Sequence, residues 1–273
     1  MKIKDFDFYK DLIRRQSGLY ISTDKAYLLS SRLTPIASEW GFKDFDDMTM
    51  ALRGFPEDKL VSAVIDAMTE NETSFFADHS LFQSIAREII PFLIKEKKYT
   101  HINIWSAGCA TGQEAYSLAL LLEEDYLKRM IAQTKIHIHA SDISYKSLDK
   151  AIKGIYSQID IQNGLPVETL TNYFDQDGKN WVIKEDLSEK IHFFYFNLID
   201  SMESLPKYDI IICHDVLDNF DYERKAIVLD NFASKLTEDG FLITSKNEEV
   251  LKFTDQYSPS EHHESIYTLK KST

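Results

Sequence analysis

The chain has 273 residues, 44% of them hydrophobic and 27% charged, with a formal net charge of −13 at pH 7. That length can bury a substantial core in one large or two modest domains, and the acidic balance argues against nucleic acid held by a general basic field. No apolar run approaches the length needed to span a membrane, and the opening MKIKDFDFYK lacks the apolar core of a secretion signal. Two cysteines, Cys109 and Cys213, are too few for a disulfide framework or a zinc site. Both lie where an apolar strand meets a loop, so buried free thiols in a cytoplasmic protein are expected.

Residues 5–70 read as helices only. Phe6, Phe8, Tyr9, Leu12 and Ile13 recur at helical spacing, and Ser17-Gly18 breaks that helix. A second helix starts near Thr23-Asp24, an N-cap signal, and carries Tyr27, Leu28, Leu29, Leu33 and Ile36 up to Gly41. Phe45 to Leu52 gives a third, and Leu60 to Met68 a fourth. Four short helices make a small bundle or a cap on another domain. The polar stretch from Thr69 to Ser74 follows. It is either a linker whose phenylalanines, Phe75 and Phe76, plug into a core, or part of a cleft at a domain junction. A long helix is expected from about Asp78 to Lys98.

From there strands and helices alternate, which implies a mainly parallel sheet. Ile102 to Trp105 is a buried strand; Ser106 to Ala110 is a turn of small residues; Thr111 to Glu114 lead into an apolar helical face, Tyr116, Leu118, Ala119, Leu121 and Leu122. Strand, glycine turn, helix is the first unit of a nucleotide-binding α/β fold. Small side chains let a ligand approach the backbone, and the helix start offers amide groups to the turn. The turn lacks the Lys-Ser/Thr end of a phosphate loop and the third glycine of the dinucleotide fingerprint. A second strand, Lys135 to Ala140, ends at Asp142, which is placed either to accept the hydroxyls of a ribose or to cap the helix beginning near Ser144. Asp175 to Gly178 reads as a turn before the strand Trp181 to Ile183. Further strands are Ile191 to Phe196, the continuously apolar Tyr208 to Cys213, Phe241 to Thr244 after an Asp239-Gly240 turn, and Ser265 to Leu269. Gly108, Asp142, Asn197 and Asp215 all fall at strand ends, where open α/β sheets bind ligands. His137 and His139 are expected on one side of their strand, and His262-His263 in a solvated loop. No metal site is expected.

These segments resemble the chemotaxis-receptor glutamate methyltransferases of the CheR type, which use S-adenosylmethionine. The resemblance runs through NETSFF at Asn71–Phe76, WSAGCATGQEAYSLAL at Trp105–Leu120, SDIS at Ser141–Ser144, AIKGIY at Ala151–Tyr156, Asn197-Leu198 and DVLDNFD at Asp215–Asp221. It implies an N-terminal helical domain over 1–75 and a Rossmann-like methyltransferase domain over 76–273, with a small β-subdomain inserted at about 159–190. It also implies cofactor contacts. Asn71 and Thr73 would line the cleft, Ala107 and Gly108 the bend, Glu114 the methionine end and Asp142 the ribose. Asn197, Leu198, Asp215 and Val216 would surround the adenine side. The implied partner is the cytoplasmic region of a chemoreceptor or another signalling protein.

The sequence departs from the family where the acceptor would be held. Ala77 stands where the family motif has arginine, and Asn219 where it has tyrosine. His214 and Asp215 replace Arg-Asn. Asp215 and Asp218 would add negative charge beside an anion pocket, and one like-charge contact at roughly 4 Å costs about 4 kcal/mol at an effective dielectric of 20, unless His214, His79 or a lysine compensates. Three readings follow: a carboxylate methyltransferase, a methyltransferase with a neutral or cationic acceptor, or a cofactor-binding sensor or scaffold without catalysis. The loop DQDGKN between Phe174 and Trp181 is short, as in relatives without a receptor-pentapeptide tether, so no such tether is expected.

Overall fold

The computed structural model describes residues 3–69, 71, 73–162 and 164–271. Glu70 and Glu72, two acidic members of the polar junction, lie outside them. The helical module comprises α1 (Ile3–Ser17), α2 (Ala26–Glu39), α3 (Phe45–Arg53) and α4 (Asp58–Met68) around their own core of Tyr9, Ile13, Leu29, Leu33, Met48 and Val64. Asp44 caps α3 by accepting from the Asp47 amide at 2.9 Å. The N-cap expected at Thr23-Asp24 is replaced by a 3₁₀ turn, Thr23–Lys25, that feeds α2 without a side-chain cap.

The second module opens with α5 (His79–Ser84), capped by Asp78, whose Oδ1 accepts from the Leu81 amide. The long helix expected over Asp78 to Lys98 is not uniform: after α5 it widens into π-helical turns at Ile85–Ile89 and Phe92–Glu96. Pro91 between them has no amide to donate, and wide turns accommodate such breaks. Then come β1 (His101–Ala107), α6 (Gln113–Leu122), α7 (Asp125–Met130), β2 (Lys135–Asp142), α8 (Tyr145–Lys153), β3 (Ile155–Ser157), α9 (Gln158–Gln162), α10 (Val167–Tyr173), β4 (Phe174–Asp177), β5 (Asn180–Ile183), α11 (Glu185–Ser188), β6 (Ile191–Tyr195), β7 (Tyr208–Cys213), α12 (Tyr222–Lys235), β8 (Leu236–Thr244), β9 (Tyr257–Pro259) and β10 (Ile266–Leu269).

Seven strands form one sheet in the order β6-β2-β1-β7-β8-β10-β9, and β3-β5-β4 form a small separate sheet. The first five strands of the large sheet run parallel, and β10 and β9 close it antiparallel. This is the Rossmann-like class expected. Two turns read from sequence are strands instead. Asp175–Asp177 belong to β4, so the hairpin bends at Gly178-Lys179. Asp239-Gly240 lies within β8, where the ladder with β7 slips between Tyr208 and Ile210. Lys97 pairs with Asp239 at 2.6 Å beside that irregularity.

Side chains alternate across β1, and that alternation divides the core. Ile102 and Ile104 pack under α6 with Ile138, Ile210 and Ile212. Trp105 and Ala107 face the other way, into Tyr208, Ile211, Val228 and Phe232 beneath α12. Asp209, buried in the apolar strand β7, is satisfied by the Asn103 amide at 2.8 Å and the Thr237 hydroxyl at 3.0 Å. Both cysteines are buried and free, as expected. His137 is exposed, whereas His139 is half-buried with its Nδ1 2.9 Å from the Tyr208 hydroxyl. The pair His262-His263 is anchored to the 79–88 helix, contrary to the solvated loop expected: His262 Nδ1 lies 2.9 Å from Glu88, and His263 Nε2 3.2 Å from the Ser80 hydroxyl.

Candidate active site

The carboxyl ends of β1, β2, β6 and β7 open into a cleft of about 710 Å³, within the usual range for small-molecule sites. Its floor is the bend after β1. Gly108 has φ +83°, and a Cβ there would meet Val216 Cγ2 at 2.6 Å, so only glycine lets the two loops close on each other. Gly112, at φ +90°, begins α6 so close to α8 that a Cβ would stand 2.8 Å from that of Ala151.

The amides of the bend are already paired. Gly108 and Cys109 donate to the Ser141 carbonyl at 2.8 and 2.9 Å, and Ala110 donates to Asp142 Oδ2 at 2.8 Å. The amides of Gly108, Cys109 and Ala110 are therefore not free for a phosphate. Asp142 does not cap α8 itself. Ser144 does so, its Oγ accepting from the Ser147 amide at 3.1 Å, while Asp142 Oδ1 accepts from the Ser144 amide at 2.8 Å. Burial pushes the Asp142 carboxyl above its ordinary value, against the amides of Ser144 and Ala110, which pull it down. Each carboxylate oxygen keeps lone-pair capacity for another donor, and the group lines the cleft.

Glu114, on the first turn of α6, accepts at Oε1 from the Ser106 hydroxyl at 3.2 Å. Its Oε2 stands 3.9 Å from His214 Nδ1, which in turn stands 3.3 Å from Asp215 Oδ2. Burial raises the Glu114 pKa, and His214 is the largest influence opposing it. Asp215 is left-handed at φ +58° and its side chain is 69% exposed, at the mouth of the cleft. Asp218, expected to add a second charge there, turns away and pairs with Lys225 at 2.7 Å. His79 also points elsewhere, onto Gln83 at 2.8 Å. Of the compensating groups considered from sequence, His214 is the one that stands against the cleft's carboxylates among the described residues. The lining lysine, Lys150, is held by Asp160 at 3.1 Å.

Asn71, Thr73, Ala77, Gly108, Glu114, Asp142, Asn197, Leu198, Asp215, Val216 and Asn219 all line this one cleft. Ala107 does not. It is 1% exposed, because strand alternation turns it to the Trp105 side of the sheet. Asn197 does more than line the cleft: its Nδ2 donates to the Gln16 carbonyl at 2.7 Å. That contact is one of several joining the modules. Arg14 Nε donates to Asp221 at 2.6 Å, Tyr20 N donates to the Asn219 carbonyl at 2.8 Å, and Leu19 forms an antiparallel bridge with Phe220. As a result Ser17, Leu19 and Thr69 of the helical module wall the cleft. Thr69 opens the polar stretch read from sequence as a possible cleft wall, whereas nothing in the sequence context of Ser17 and Leu19 marked them. Glu248 was missed too. Buried, it accepts from the Leu217 amide at 2.6 Å and the Ser245 amide at 3.0 Å, which holds the 214–220 loop against the end of β8. Its position, four residues past β8 in a polar stretch, carried no signal. Among the described residues no cluster of His, Cys, Asp and Glu could hold a metal ion, and no helix is long and apolar enough to cross a membrane.

Two family models match the chain: the CheR methyltransferase all-alpha domain over residues 4–69 and the CheR methyltransferase SAM-binding domain over residues 71–266. Among similar proteins, chemotaxis protein methyltransferase Cher2 of Pseudomonas putida is 32% identical over 93% of this chain and 93% of its own. Chemotaxis protein methyltransferase 1 of Pseudomonas aeruginosa is likewise 32% identical over 93% of each chain. Chemotaxis protein methyltransferase 1 of Vibrio cholerae is 33% identical over 91% of each.

Proposed function

Because the chain belongs to the CheR methyltransferase family, whose members use S-adenosylmethionine, we propose that the cleft between its two modules holds that cofactor and directs its methyl to a glutamyl carboxylate of a chemoreceptor. The observation that carries this reading is the convergence of Gly108, Glu114, Asp142, Asn197 and Asp215, from four separate chain segments, on one cleft. The residues fit the group. Asp142 retains acceptor capacity for ribose hydroxyls, and Glu114 sets a carboxylate in a largely dry corner where a cationic amino acid end is attracted.

Bound S-adenosylmethionine supplies an electrophilic methyl on sulfur. The acceptor glutamate is ionised near neutral pH and needs no base. The work left to the chain is alignment and exclusion of water. The helical module contributes to both, since Ser17, Leu19 and Thr69 close one side of the cleft. Asn71 Nδ2 donates to the Thr69 hydroxyl at 3.1 Å within the junction, and Gln113 Nε2, at the start of α6, reaches the Thr73 carbonyl at 3.4 Å.

The test is calorimetric titration with S-adenosylhomocysteine, followed by transfer of labelled methyl to a purified chemoreceptor cytoplasmic fragment. An ester is released by mild base. A base-stable product would move the acceptor to a neutral or cationic group, which the cleft's carboxylates would also tolerate. Absence of cofactor binding would overturn the assignment of the cleft. The chain is proposed to act in the cytoplasm without a pentapeptide tether, since the β4–β5 hairpin turns on Gly178-Lys179 with no inserted loop. Micromolar binding of a receptor C-terminal pentapeptide would refute that last point.

A further inference from the structure

The 214–220 loop walls the cleft with His214, Asp215, Val216, Asn219 and Phe220. Its internal bonds are those of one tight turn: Asn219 N donates to the Val216 carbonyl at 3.1 Å and Phe220 N to the Leu217 carbonyl at 2.9 Å. Bonds within a turn do not fix where the turn sits. Outside groups do that. Leu19 of the helical module bridges Phe220 at the far end, and Glu248 takes the Leu217 amide in the middle, at 2.6 Å. Glu248 is itself immobilised. Its Oε2 accepts from the Ser245 amide at 3.0 Å while its own amide donates to the Ser245 carbonyl at 3.1 Å, so side chain and backbone are both tied to the exit of β8. The residue is 2% exposed. Burying a carboxylate is costly, and here backbone amides meet its charge. What it adds over an apolar side chain is a charge-assisted bond to the Leu217 amide. Leu217 directly follows Val216, whose Cγ2 would stand 2.6 Å from a Cβ at Gly108. The bond thus sets how closely the loop approaches the bend.

We propose that Glu248, which lies behind the cleft lining, is a positioning residue for the cofactor: through Leu217 it holds Val216 on the Gly108 bend and Asp215 at the mouth before anything binds. This rests on the assignment of the cleft to S-adenosylmethionine. A wall already held in its bound shape spares the ligand the ordering of a loop, and the difference appears as affinity.

The experiment is amide hydrogen exchange of the full chain, free and with S-adenosylhomocysteine, beside the calorimetric Kd. In the free wild type the Leu217 amide should exchange about a hundredfold or more slower than an unstructured amide. Glu248→Gln keeps the shape but leaves one carbonyl oxygen for two amides that now sit on separate oxygens. It should speed exchange at 216–219 while β7 stays protected, raise the Kd about tenfold, and regain protection at 216–219 when saturated with ligand. Glu248→Asp, charged but one methylene short, should behave the same way. Tyr257→Phe removes a buried hydroxyl bond to the Leu229 carbonyl in the same core, outside the cleft, and should bind within twofold of wild type. A free wild type with an unprotected Leu217 amide overturns this inference alone. So does a Glu248→Gln chain that binds within twofold of wild type or exchanges equally fast in β7, or a Tyr257→Phe chain that loses affinity equally. A wild type that binds no S-adenosylhomocysteine overturns the cofactor assignment and this inference with it.

Discussion

Replacing Asp142 by asparagine separates two roles that the carboxylate combines. Its oxygens face two backbone donors, Ala110 N and Ser144 N, both at 2.8 Å. The amide side chain has one oxygen, so whichever way it turns, an NH₂ group meets one of those N–H groups. Leaving one buried amide unpaired costs about 1–3 kcal/mol. Relief from burying a charge offsets part of that, because burial is the main influence raising this carboxyl. Urea denaturation of the ligand-free chain should therefore show a loss of about 1 kcal/mol. Cofactor binding loses more. Exchanging a charged acceptor for a neutral one at the ribose removes about 1.5–3 kcal/mol of charge-assisted hydrogen bonding, a ten- to hundred-fold rise in Kd for S-adenosylhomocysteine by calorimetry. Ser144→Ala is the control. It strips the α8 cap, worth about 1 kcal/mol, and leaves the carboxylate in place. If Asp142→Asn destabilised the chain yet bound within twofold of wild type, or if Ser144→Ala weakened binding equally, Asp142 would serve only the bend and the ribose assignment would fail.

Gly108→Ala places a methyl 2.6 Å from Val216 Cγ2 at a left-handed residue; the backbone alone costs about 1–2 kcal/mol, and cofactor binding should vanish before folding does. Burial raises the Glu114 pKa, so the folded chain keeps this proton longer than the unfolded one. Its contribution to stability then falls as pH rises from the unfolded value of about 4.3 up to the raised value. A cationic ligand end favours the ionised form, so binding in that window should release a proton, read as a buffer-dependent calorimetric enthalpy that Glu114→Gln abolishes. Arg14→Ala should change global stability little, because the Arg14 side chain is 41% exposed and exposed ion pairs are screened by solvent; its larger effect should be faster hydrogen exchange at residues 217–221, whose helix cap Asp221 loses its partner.

The reading from sequence succeeded where local pattern and geometry coincide. Strand, small-residue bend and helix at 102–122 are written in alternation and glycine spacing, and Asp142 follows because parallel strands end together. It failed where a side chain is placed by a distant partner. Asp218 was charged to the cleft because it lies three residues from Asp215, but Lys225, a turn into α12, draws it outward. Ala107 was placed in the bend by proximity to Gly108, though the two-residue period of β1 had already assigned it to the far face. The seam of Arg14 with Asp221 and Leu19 with Phe220 spans some two hundred positions and leaves no periodic trace in either segment.

The left-handed backbone at Asp215 narrows what that position can hold. Only glycine, asparagine and aspartate adopt such dihedrals readily, so the family's asparagine had few viable replacements, and the one here introduces a charge without bending the loop. Asp215→Asn should thus be conformationally silent, and any change in acceptor preference it brings would report the carboxylate's field alone. The mouth of the cleft can be retuned electrically at a residue whose shape is already settled.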